Sequence, residues 1–460
     1  MVNRRDFLGL SLAFAGMPCL AKICDERRWY KGMVHCHSLW SDGRAFPEQV
    51  VDWYRSRGYN FLSISDHNQF QDNPDLWAVE SDKKKDWRAE KAKGLRSVKK
   101  DIVERYLAKF PDAHVRTDEK GRRQCRLRTF DELARRFDVP GSFALLPGTE
   151  LTHRTKLPDG IGYNVHMNLV NVPGVPAPYR AKGFKAEYAG KAVPDIVAEK
   201  IREATAFAAE QKRRHLLVMN HPIWIWYDIS PETLVAHPEV RFFEVCNNGS
   251  PDAPWPELPQ DGLDTDRFWD VVNAFRARRG QPLLYGVGND DTHYYFGEDK
   301  PMLMPGNAWS RVRARSLAAD DLIEAMERGD FLACEGLEAE DVSFDRAQGE
   351  LRVSVAAAPG EVRKITFIVS KRDFDERPVR TLELSPAKPE RRRRVNVYDD
   401  RIGKVVRTVV GKPGERLDAS YRLAPDDLYV RARVESPRIP LCKAALHPKN
   451  ACCWTQPYSA

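Results

Sequence analysis

The chain has 460 residues, of which 42% are hydrophobic and 30% charged, a composition typical of an ordinary globular protein with two or three domains. Its net charge of +7, from 73 basic and 66 acidic residues, is too small an excess over this length to indicate nucleic-acid binding. The basic run Arg391–Arg394 is interpreted as a solvated hairpin loop rather than a phosphate-backbone site.

The first 21 residues are typical of a twin-arginine export signal. Arg4-Arg5 precede Phe7-Leu8 and a short apolar run rich in small residues. This run is too short to form a stable membrane span, and no other segment reaches spanning length. We therefore expect a periplasmic or secreted protein, cleaved after Ala15 or Ala21.

The nine cysteines contain no Cys-x-x-Cys pair, which argues against a thiolate zinc knuckle. An oxidising compartment would permit disulfides, for which Cys442 with Cys452 or Cys453 are candidates.

Short apolar runs alternate with helical patterns up to about residue 335. A strand ends in MVHCH, and a helix follows at 47–58 with Pro47 in its first turn. Further helices are predicted near 194–213 and 264–279. Six more strands are predicted, in YNFLSISDHN, SFALLPGTELTH, YNVHMNLVN, HLLVMNHP, VRFFEVCNN and PLLYGVGNDDTH. This alternation predicts an α/β protein with a mostly parallel sheet or barrel.

Metal-ligating residue types lie at the ends of these strands. His35 and His37 are two residues apart, so on a strand both imidazoles face the same way, as a shared metal ion requires. Six of the 11 histidines lie at strand ends. The strand-end set is His35, His37, Asp66, His67, Glu150, His166, His221, Glu244, Asp291 and His293. In (β/α) barrels the site is built at that end, so the sequence predicts a polynuclear metal site.

The motifs HCHSLWSDG, SISDHN, GTELTH, NVHMNLV, MNHP, FEVCNN and GNDDTH resemble, in order, those of the PHP (polymerase and histidinol phosphatase) superfamily. The resemblance covers about residues 29–335. It implies a distorted seven-stranded (β/α) barrel that holds two or three divalent ions, with Zn, Mn and Fe all suited to such ligands. The segments GNAWSRVRARSLAADDLIEAMERGDFLACEG and YVRARVES…CCWTQPY also resemble an exported, carbaryl-hydrolase-like branch with a C-terminal β domain.

The resemblance implies three sets of ligands: His35, His37, Glu150 and Asp291; the bridging Glu150 with His166 and His221; and Asp42, His67 and His293. Some family members have histidine where this chain has Asp42. Asp290 leaves a register ambiguity, and Asp291 is preferred because Asp291-Thr292-His293 fits the Asp-x-His motif.

Other residues are assigned supporting roles. Asp66 is expected to orient His67 or a water, because a metal-bound histidine donates its other N–H to an acceptor. His153 and Arg154 are candidates for contacting phosphate, with a surface loop charge as the alternative. Glu244 and Asn247 are expected to hydrogen-bond to the ligands. Cys36 should be a buried apolar residue, because it alternates away from the ligand face.

Two further regions are predicted. Residues 71–145 form a charged, helix-favouring insertion, interpreted as a lid or cap, or else as a solvated decoration. Residues 340–460 carry strands with turns every 8–12 residues, which predicts a β-sandwich domain.

These features favour an exported metal-dependent hydrolase, a phosphoesterase of a small organic phosphate that uses a hydroxide held between the metals. The alternative is hydrolysis of a carboxylic ester, amide or carbamate by the same site. A DNA-processing role is disfavoured because no polymerase-sized module accompanies the export signal. A non-catalytic scaffold is disfavoured by the full ligand set. The sequence identifies neither the substrate nor the oligomeric state.

Overall fold

The computed structural model describes residues 27–81, 95–182, 186–223, 227–247, 264–296, 304–384, 392–437 and 450–459. The predicted signal peptide and Cys442 lie outside these residues. Within them, no helix is both long and apolar enough to cross a membrane.

The helices of the described part are α1 (Pro47–Arg55), α2 (Lys100–Lys109), α3 (Phe130–Phe137), α4 (Ala177–Lys182), α5 (Val193–Glu210), α6 (Pro231–Ala236), α7 (Thr265–Arg278) and α8 (Ala319–Glu327). The strands up to residue 335 are β1 (Arg28–Met33), β2 (Phe61–Leu62), β3 (Trp77–Glu80), β4 (Arg96–Val98), β5 (Val115–Thr117), β6 (Arg123–Arg126), β7 (Ala144–Leu145), β8 (Gly148–Lys156), β9 (Gly162–Val170), β10 (Ala186–Ala189), β11 (Leu216–Met219), β12 (Phe242–Asn247), β13 (Tyr285–Asn289), β14 (Ala308–Ala314) and β15 (Phe331–Glu335). The later strands are β16 (Asp341–Asp345), β17 (Glu350–Val355), β18 (Lys364–Lys371), β19 (Arg380–Leu384), β20 (Arg393–Val397), β21 (Lys404–Val410), β22 (Leu417–Arg422), β23 (Asp427–Ser436) and β24 (Ala451–Thr455).

Local sequence explains where the helices begin. Pro47 occupies the first turn of α1, where its missing N–H is not needed. Thr129 accepts a hydrogen bond from the Glu132 N–H at the start of α3, and the Glu132 side chain accepts one from the Thr129 N–H. Asp264 caps α7 in the same way through the N–H of Arg267.

Two sheets surround the predicted site. One contains β14, β1, β2 and β7 in that order, and the other contains β8, β9, β11, β12 and β13. Two isolated parallel bridges connect them, Cys36 with Thr292 and His67 with Glu150. Hydrogen-bonded ladders do not join the two sheets into one closed barrel within the described ranges. The α/β architecture is therefore confirmed, whereas the seven-stranded barrel is not.

The second sheet is mixed rather than mostly parallel. β9 runs antiparallel to both β8 and β11, so His166 lies in the middle of a strand, opposite Thr152, and not at a strand end as predicted. The physical reason is the connection, since only residues 157–161 separate β8 from β9. A parallel pair needs a crossover of a dozen or more residues.

The insertion is not mainly helical, although its composition favours helix. Its described residues form a four-stranded sheet in the order β4-β3-β6-β5, together with α2 and α3. Ile102 and Tyr106 of α2 belong to the same buried apolar cluster as Val50 of α1 and Phe46, which precedes that helix. Because this part of the insertion buries its own apolar face against α1, it is not a solvated decoration.

The C-terminal strands form two packed layers and extend the first sheet. β16, β17 and β22 form a separate three-stranded sheet, and apolar residues of β17 share a buried cluster with β18 and β23. β24 pairs with both β15 and β23, so a single nine-stranded sheet runs across the predicted boundary between residues 335 and 340. The division into domains at 29–335 and 340–460 stays a prediction.

Candidate metal centre

Glu150 lies at the centre of the predicted ligands and is fully buried. Its Oε1 atom is 3.1 Å from His166 Nδ1, 3.6 Å from His35 Nε2 and 3.8 Å from His221 Nε2. Its Oε2 atom is 3.7 Å from His37 Nε2 and also contacts His67 Nδ1. One carboxylate therefore faces five imidazoles, as its predicted bridging role requires.

Asp291, and not Asp290, faces these histidines. Asp291 Oδ1 lies 3.0 Å from His37 Nε2 and 3.2 Å from His35 Nε2. The Asp290 carboxylate points away and accepts hydrogen bonds from the Tyr54 hydroxyl and from the backbone N–H groups of residues 306–308. The structure resolves the register ambiguity in favour of Asp291.

Asp42 lies on the more accessible side of the cluster. Its Oδ1 atom is 3.2 Å from His293 Nε2, 3.5 Å from His67 Nε2 and 4.0 Å from His37 Nδ1. The side chains of Asp42 and His293 are 37% and 26% exposed, whereas those of His37 and Glu150 are fully buried. A substrate would therefore enter from the Asp42 side.

The donor atoms fit divalent cations. Three groups have ligand atoms within 4.8 Å of one another: His37, Asp42, His67 and His293; His35, His37 and Glu150; and His67, Glu150 and His166. Imidazole nitrogen and carboxylate oxygen are the donors that Zn, Mn and Fe accept. His35 Nε2 is buried and makes no hydrogen bond with any described residue, although Asp291 Oδ1 is 3.2 Å away. The grouping differs from the predicted sets in three respects. Asp291 is absent from the group of His35, His37 and Glu150, His37 joins the group of Asp42, and His67 takes the place of His221 beside Glu150 and His166.

The three carboxylates are held ionised. Burial opposes charge on Glu150, yet His67, His166 and His35 hold the pKa of its carboxyl well below the usual value. Burial likewise opposes charge on Asp42, and His293 and His67 lower the pKa of its carboxyl well below normal. The pKa of Asp291 is lowered too, chiefly by His35 against the effect of burial. These residues have the deprotonated form that metal ligands need.

The imidazoles divide into two groups, those whose pKa is lowered and those whose pKa is raised. Burial lowers the pKa of His37 to about 4, and the neighbouring His293 and His67 add to this shift. Burial also lowers the pKa of His166 to about 4, although Glu150 opposes it. The pKa of His293 is raised to about 9, because Asp42 outweighs the effect of burial. In the metal-free protein, protons on imidazoles such as that of His293 compensate the negative charge of the carboxylates. Metal cations would replace those protons.

A further set of side chains orients the ligands. Glu244 Oε1 lies 2.6 Å from His35 Nδ1, and Glu244 Oε2 accepts hydrogen bonds from the His221 N–H at 2.8 Å and from Asn247 Nδ2 at 2.7 Å. If Nδ1 of His35 carries the proton and donates it to Glu244, Nε2 has a free lone pair, and this atom faces Glu150 and Asp291. Asn247 Nδ2 also donates to Asp291 Oδ2 at 3.3 Å, so the hydrogen bonds predicted for Glu244 and Asn247 are present.

Sequence analysis missed two orienting residues. Asn220 Nδ2 donates to Glu150 Oε1 at 2.9 Å, and Thr152 Oγ1 lies 2.6 Å from His67 Nδ1. Strand alternation could have found Thr152, because it is two residues beyond Glu150 on the same face of β8. Nothing in the sequence distinguishes Asn220 from other strand-end amides.

Asp66 does not take its predicted place beside His67. Its carboxylate accepts hydrogen bonds from the Ser38 N–H and hydroxyl, from the Ser41 hydroxyl and from Gln71 Nε2. These contacts fix the loop that carries Asp42. Gly43 closes that loop, where a Cβ atom would lie 2.5 Å from the His37 carbonyl. Asp66 therefore positions a loop instead of orienting His67.

His153 and Arg154 occupy opposite faces of β8. His153 is buried on the face away from Glu150, where its ring stacks on Tyr179 at 4.6 Å. This excludes it from contact with a substrate at the metal centre. Arg154 is exposed and shares the face of Glu150 and Thr152, two residues further along the strand. Arg154 thus remains a candidate for contacting the substrate.

None of the cysteines that the structure describes belongs to the three candidate ligand groups. Cys36 is fully buried, as expected for an apolar packing residue, and burial raises the pKa of its thiol well above the usual value. Because Cys442 lies outside the described residues, its pairing with Cys452 or Cys453 stays a prediction. Cys334 and Cys453 are also buried, with their sulfur atoms 3.7 Å apart.

Arg96 of the insertion was also missed. It is partly buried, and its Nε and Nη2 atoms donate to the Trp40 carbonyl at 3.1 and 2.8 Å, within the loop between His37 and Asp42. Burial lowers the pKa of its guanidinium, whereas the Asp66 and Asp42 carboxylates raise it. Arg96 therefore brings a positive charge close to the accessible side of the centre.

No protein-family model matches the chain, and no curated protein matches it. Among solved structures, the chain is similar to a two-domain protein containing a predicted PHP-like metal-dependent phosphoesterase from Bacteroides vulgatus. The identity is 15% and the TM-score 0.39, over 94% of this chain and 96% of that one. That description names the superfamily that the motifs resemble.

Two further solved structures cover less of the chain. A provisionally assigned metal-dependent phosphoesterase from Bifidobacterium adolescentis is 15% identical, with a TM-score of 0.30 over 65% of this chain and 96% of that one. An amidohydrolase from Chromobacterium violaceum, with bound sulfate and no metal, is 13% identical, with a TM-score of 0.27 over 60% and 93% of the two chains. These TM-scores are low, so the likenesses decide neither the fold nor the activity. None of the three descriptions mentions a carbaryl hydrolase.

Proposed function

We propose that the chain is an exported metal-dependent hydrolase that acts as a phosphoesterase on a small organic phosphate with two or three divalent ions. The observation that carries the proposal is the ring of imidazoles around Glu150, with Asp42 and Asp291 on either side. So many charged and polar groups are costly to bury together unless cations compensate them.

Each residue of the centre has a definite task in this proposal. His35, His37, Glu150 and Asp291 would hold one ion, Glu150 and His166 a second, and Asp42, His67 and His293 a third. Such ions supply a water of lowered pKa and neutralise charge on a phosphoryl group. Glu244 keeps His35 in the tautomer that presents Nε2, and Asn220 holds Glu150 in place. His221 lies 3.8 Å from Glu150 and would complete the second site.

The charge around the accessible side favours a phosphate over a neutral ester. Arg96 lies near Asp42, and the exposed Arg154 follows Glu150 and Thr152 along β8. A guanidinium matches phosphate oxygens through two parallel hydrogen bonds, whereas a carboxylic ester, amide or carbamate offers no anionic group for it. This contrast separates the proposal from its alternative.

Turnover of an aryl phosphate and of the corresponding aryl ester tests this function. We expect hydrolysis of the phosphate to be the faster reaction. Arg96→Met should raise KM for the phosphate by about tenfold, the effect of losing one charge-assisted hydrogen bond. Arg135→Met serves as the control, because Arg135 is exposed on α3 of the same insertion and donates to the Asp131 carbonyl of its own helix. Faster hydrolysis of the ester, unaffected by Arg96→Met, would favour the alternative.

We also propose export through the twin-arginine route, which the Arg4-Arg5-Asp6-Phe7-Leu8 sequence supports. That route carries folded proteins, so the metals could be bound before export. Replacing Arg4 and Arg5 with lysine should leave active, uncleaved protein in the cytoplasm, as measured by fractionation and intact mass. Processed variant protein in the periplasm would show that another route exports the chain.

A further inference from the structure

Arg393 in the C-terminal hairpin β19–β20 is buried against the metal-binding half of the chain. It is 4% exposed. Its Nη2 atom donates to the Gly162 carbonyl at 2.8 Å and to Asp228 Oδ1 at 2.5 Å, and its Nε atom donates to the Tyr227 carbonyl at 3.2 Å. Its guanidinium also lies 3.9 Å from the centre of the Tyr163 ring. The prediction of a solvated loop is therefore wrong for Arg393.

One of these contacts reaches the strand that carries His166. Gly162 begins β9, and Asn164 lies on the same face of that strand as His166, two residues before it. Asn164 Nδ2 donates to Asp228 Oδ2 at 3.1 Å, so the Asp228 carboxylate joins Asn164 to Arg393. The start of β9 is held by this network.

The other contacts reach the His221 segment, which here means the described residues 221–223 and 227–230. His221 has a φ of +27°, a strained value for a residue with a side chain, so its conformation must be held from outside. Glu244 holds the His221 N–H, and the Ile229 N–H donates to the Pro222 carbonyl at 3.0 Å. This last hydrogen bond brings Asp228 and its neighbours back beside His221. Arg393 fixes the returning end of the segment.

The rest of the hairpin strengthens the attachment. Asn396 Nδ2 and the Tyr398 hydroxyl both donate to Glu232 Oε1, at 3.0 and 2.6 Å. Glu232 lies in the first turn of α6, directly after the His221 segment. The hairpin therefore contacts this segment and the helix that follows it.

We propose that Arg393 is a positioning residue for His166 and His221, so that the C-terminal hairpin forms part of the support of the metal centre. The inference rests on the proposed function, because it concerns the ion that these two histidines would share with Glu150. Arginine suits the task, since its planar group reaches the Asp228 carboxylate through Nη2 and the Tyr227 carbonyl through Nε at the same time, which a lysine ammonium cannot do in the same geometry.

The charges make this network sensitive to the loss of Arg393. Burial raises the pKa of Asp228 to about 6, while Arg393 and Asn164 favour its charged form. Without Arg393, the buried Asp228 carboxylate would lose the cation it pairs with among the described residues, which favours a rearrangement of the segment. Such a rearrangement would displace His221 and Asn164 but leave His35, His37 and Asp291 in place.

Metal titration of the full-length protein tests the inference. Chelator-treated wild type, Arg393→Met, Arg393→Lys and Arg394→Met would each be titrated with Mn²⁺ in a calorimeter, and their thermal unfolding followed in parallel. Arg394 is the matched control, because its side chain is 76% exposed and pairs with Glu383 at the surface. We expect Arg393→Met to raise the Kd for one equivalent of Mn²⁺ by about 10- to 100-fold, which is the effect of losing a residue that hydrogen-bonds to the ligands from outside. The Kd values for the other equivalents should not change. Arg393→Lys should fall between this variant and wild type.

The outcomes separate the two claims. If Arg393→Met binds every equivalent of Mn²⁺ as tightly as wild type, or binds all of them more weakly by the same factor, Arg393 does not position His166 and His221. If wild type binds no divalent ion, the proposed function fails, and the inference fails with it. Should Arg393→Met not fold, Asp228→Asn is the second variant, since it removes the charge that Arg393 pairs with and keeps the side-chain shape. A selective loss of one equivalent in Asp228→Asn supports the inference, and wild-type binding overturns it.

Discussion

Replacing Glu150 with glutamine should lower kcat by at least about 10³-fold while the chain stays folded. One buried carboxylate faces the imidazoles of His35, His37, His67, His166 and His221. Glutamine has nearly the same shape but offers neutral donors on one side, so it cannot bridge two cations or balance their charge. Losing a group that stabilises charge in the transition state costs about 10²- to 10³-fold, and the loss of bound metal adds to this.

The measurement is kcat on the aryl phosphate, with circular dichroism and metal content measured on the same sample. Glu383→Gln is the matched control, because Glu383 is exposed and pairs with Arg394 at the surface. We expect that control to keep wild-type kcat and metal content. A Glu150→Gln variant with the kcat of wild type would show that the bridging residue is misassigned.

Replacing two adjacent aspartates with asparagine should have different effects, a loss of activity for Asp291 and a loss of stability for Asp290. Asp291→Asn is expected to lower kcat/KM by about 10²-fold or more, because Asp291 Oδ1 lies within 3.2 Å of both His35 Nε2 and His37 Nε2. Asp291 also has a φ of +48°, which asparagine tolerates better than most residues, so the backbone should be retained. Thermal unfolding of the metal-free protein should change little.

Asp290→Asn should instead destabilise the fold. The Asp290 carboxylate is buried and accepts hydrogen bonds from the N–H groups of Gly306, Asn307 and Ala308 and from the Tyr54 hydroxyl. An amide supplies one acceptor atom instead of two, so buried donors lose partners at about 1–3 kcal/mol each. We expect a loss of about 2–4 kcal/mol in the free energy of unfolding, measured by urea denaturation. If Asp290→Asn removed metal and left stability unchanged, the two aspartates would have exchanged roles.

The clustering of the candidate ligands could be predicted from sequence because metal chemistry limits the choice of residue types and side chains on a strand alternate with a period of two residues. His35 and His37 follow that spacing just beyond the end of β1, and the structure places both beside Asp291. Asp42 lies in a loop without such a period, and only the resemblance to a known family pointed to it. Its placement against His293 and His67 agrees with that expectation.

The predictions that failed depended on long-range contacts. The roles of Asp66 and His153 were inferred from neighbours in sequence, but Ser38, Ser41 and Gln71 surround Asp66, and Tyr179 covers His153. The antiparallel course of β9 could have been predicted from its short connection to β8. The burial of Arg393 could not, because its partner Asp228 is 165 residues away in sequence. A run of arginines does not indicate which of them will form an ion pair with a buried carboxylate.

The metal content of the full-length wild-type protein, purified without chelators, tests the central claim most directly. Elemental analysis should find two or three divalent ions per chain, and removing them should abolish turnover of the aryl phosphate. Adding Mn²⁺ or Zn²⁺ back should restore it. Less than one equivalent of metal, with no activity gained when either ion is added, would contradict the account.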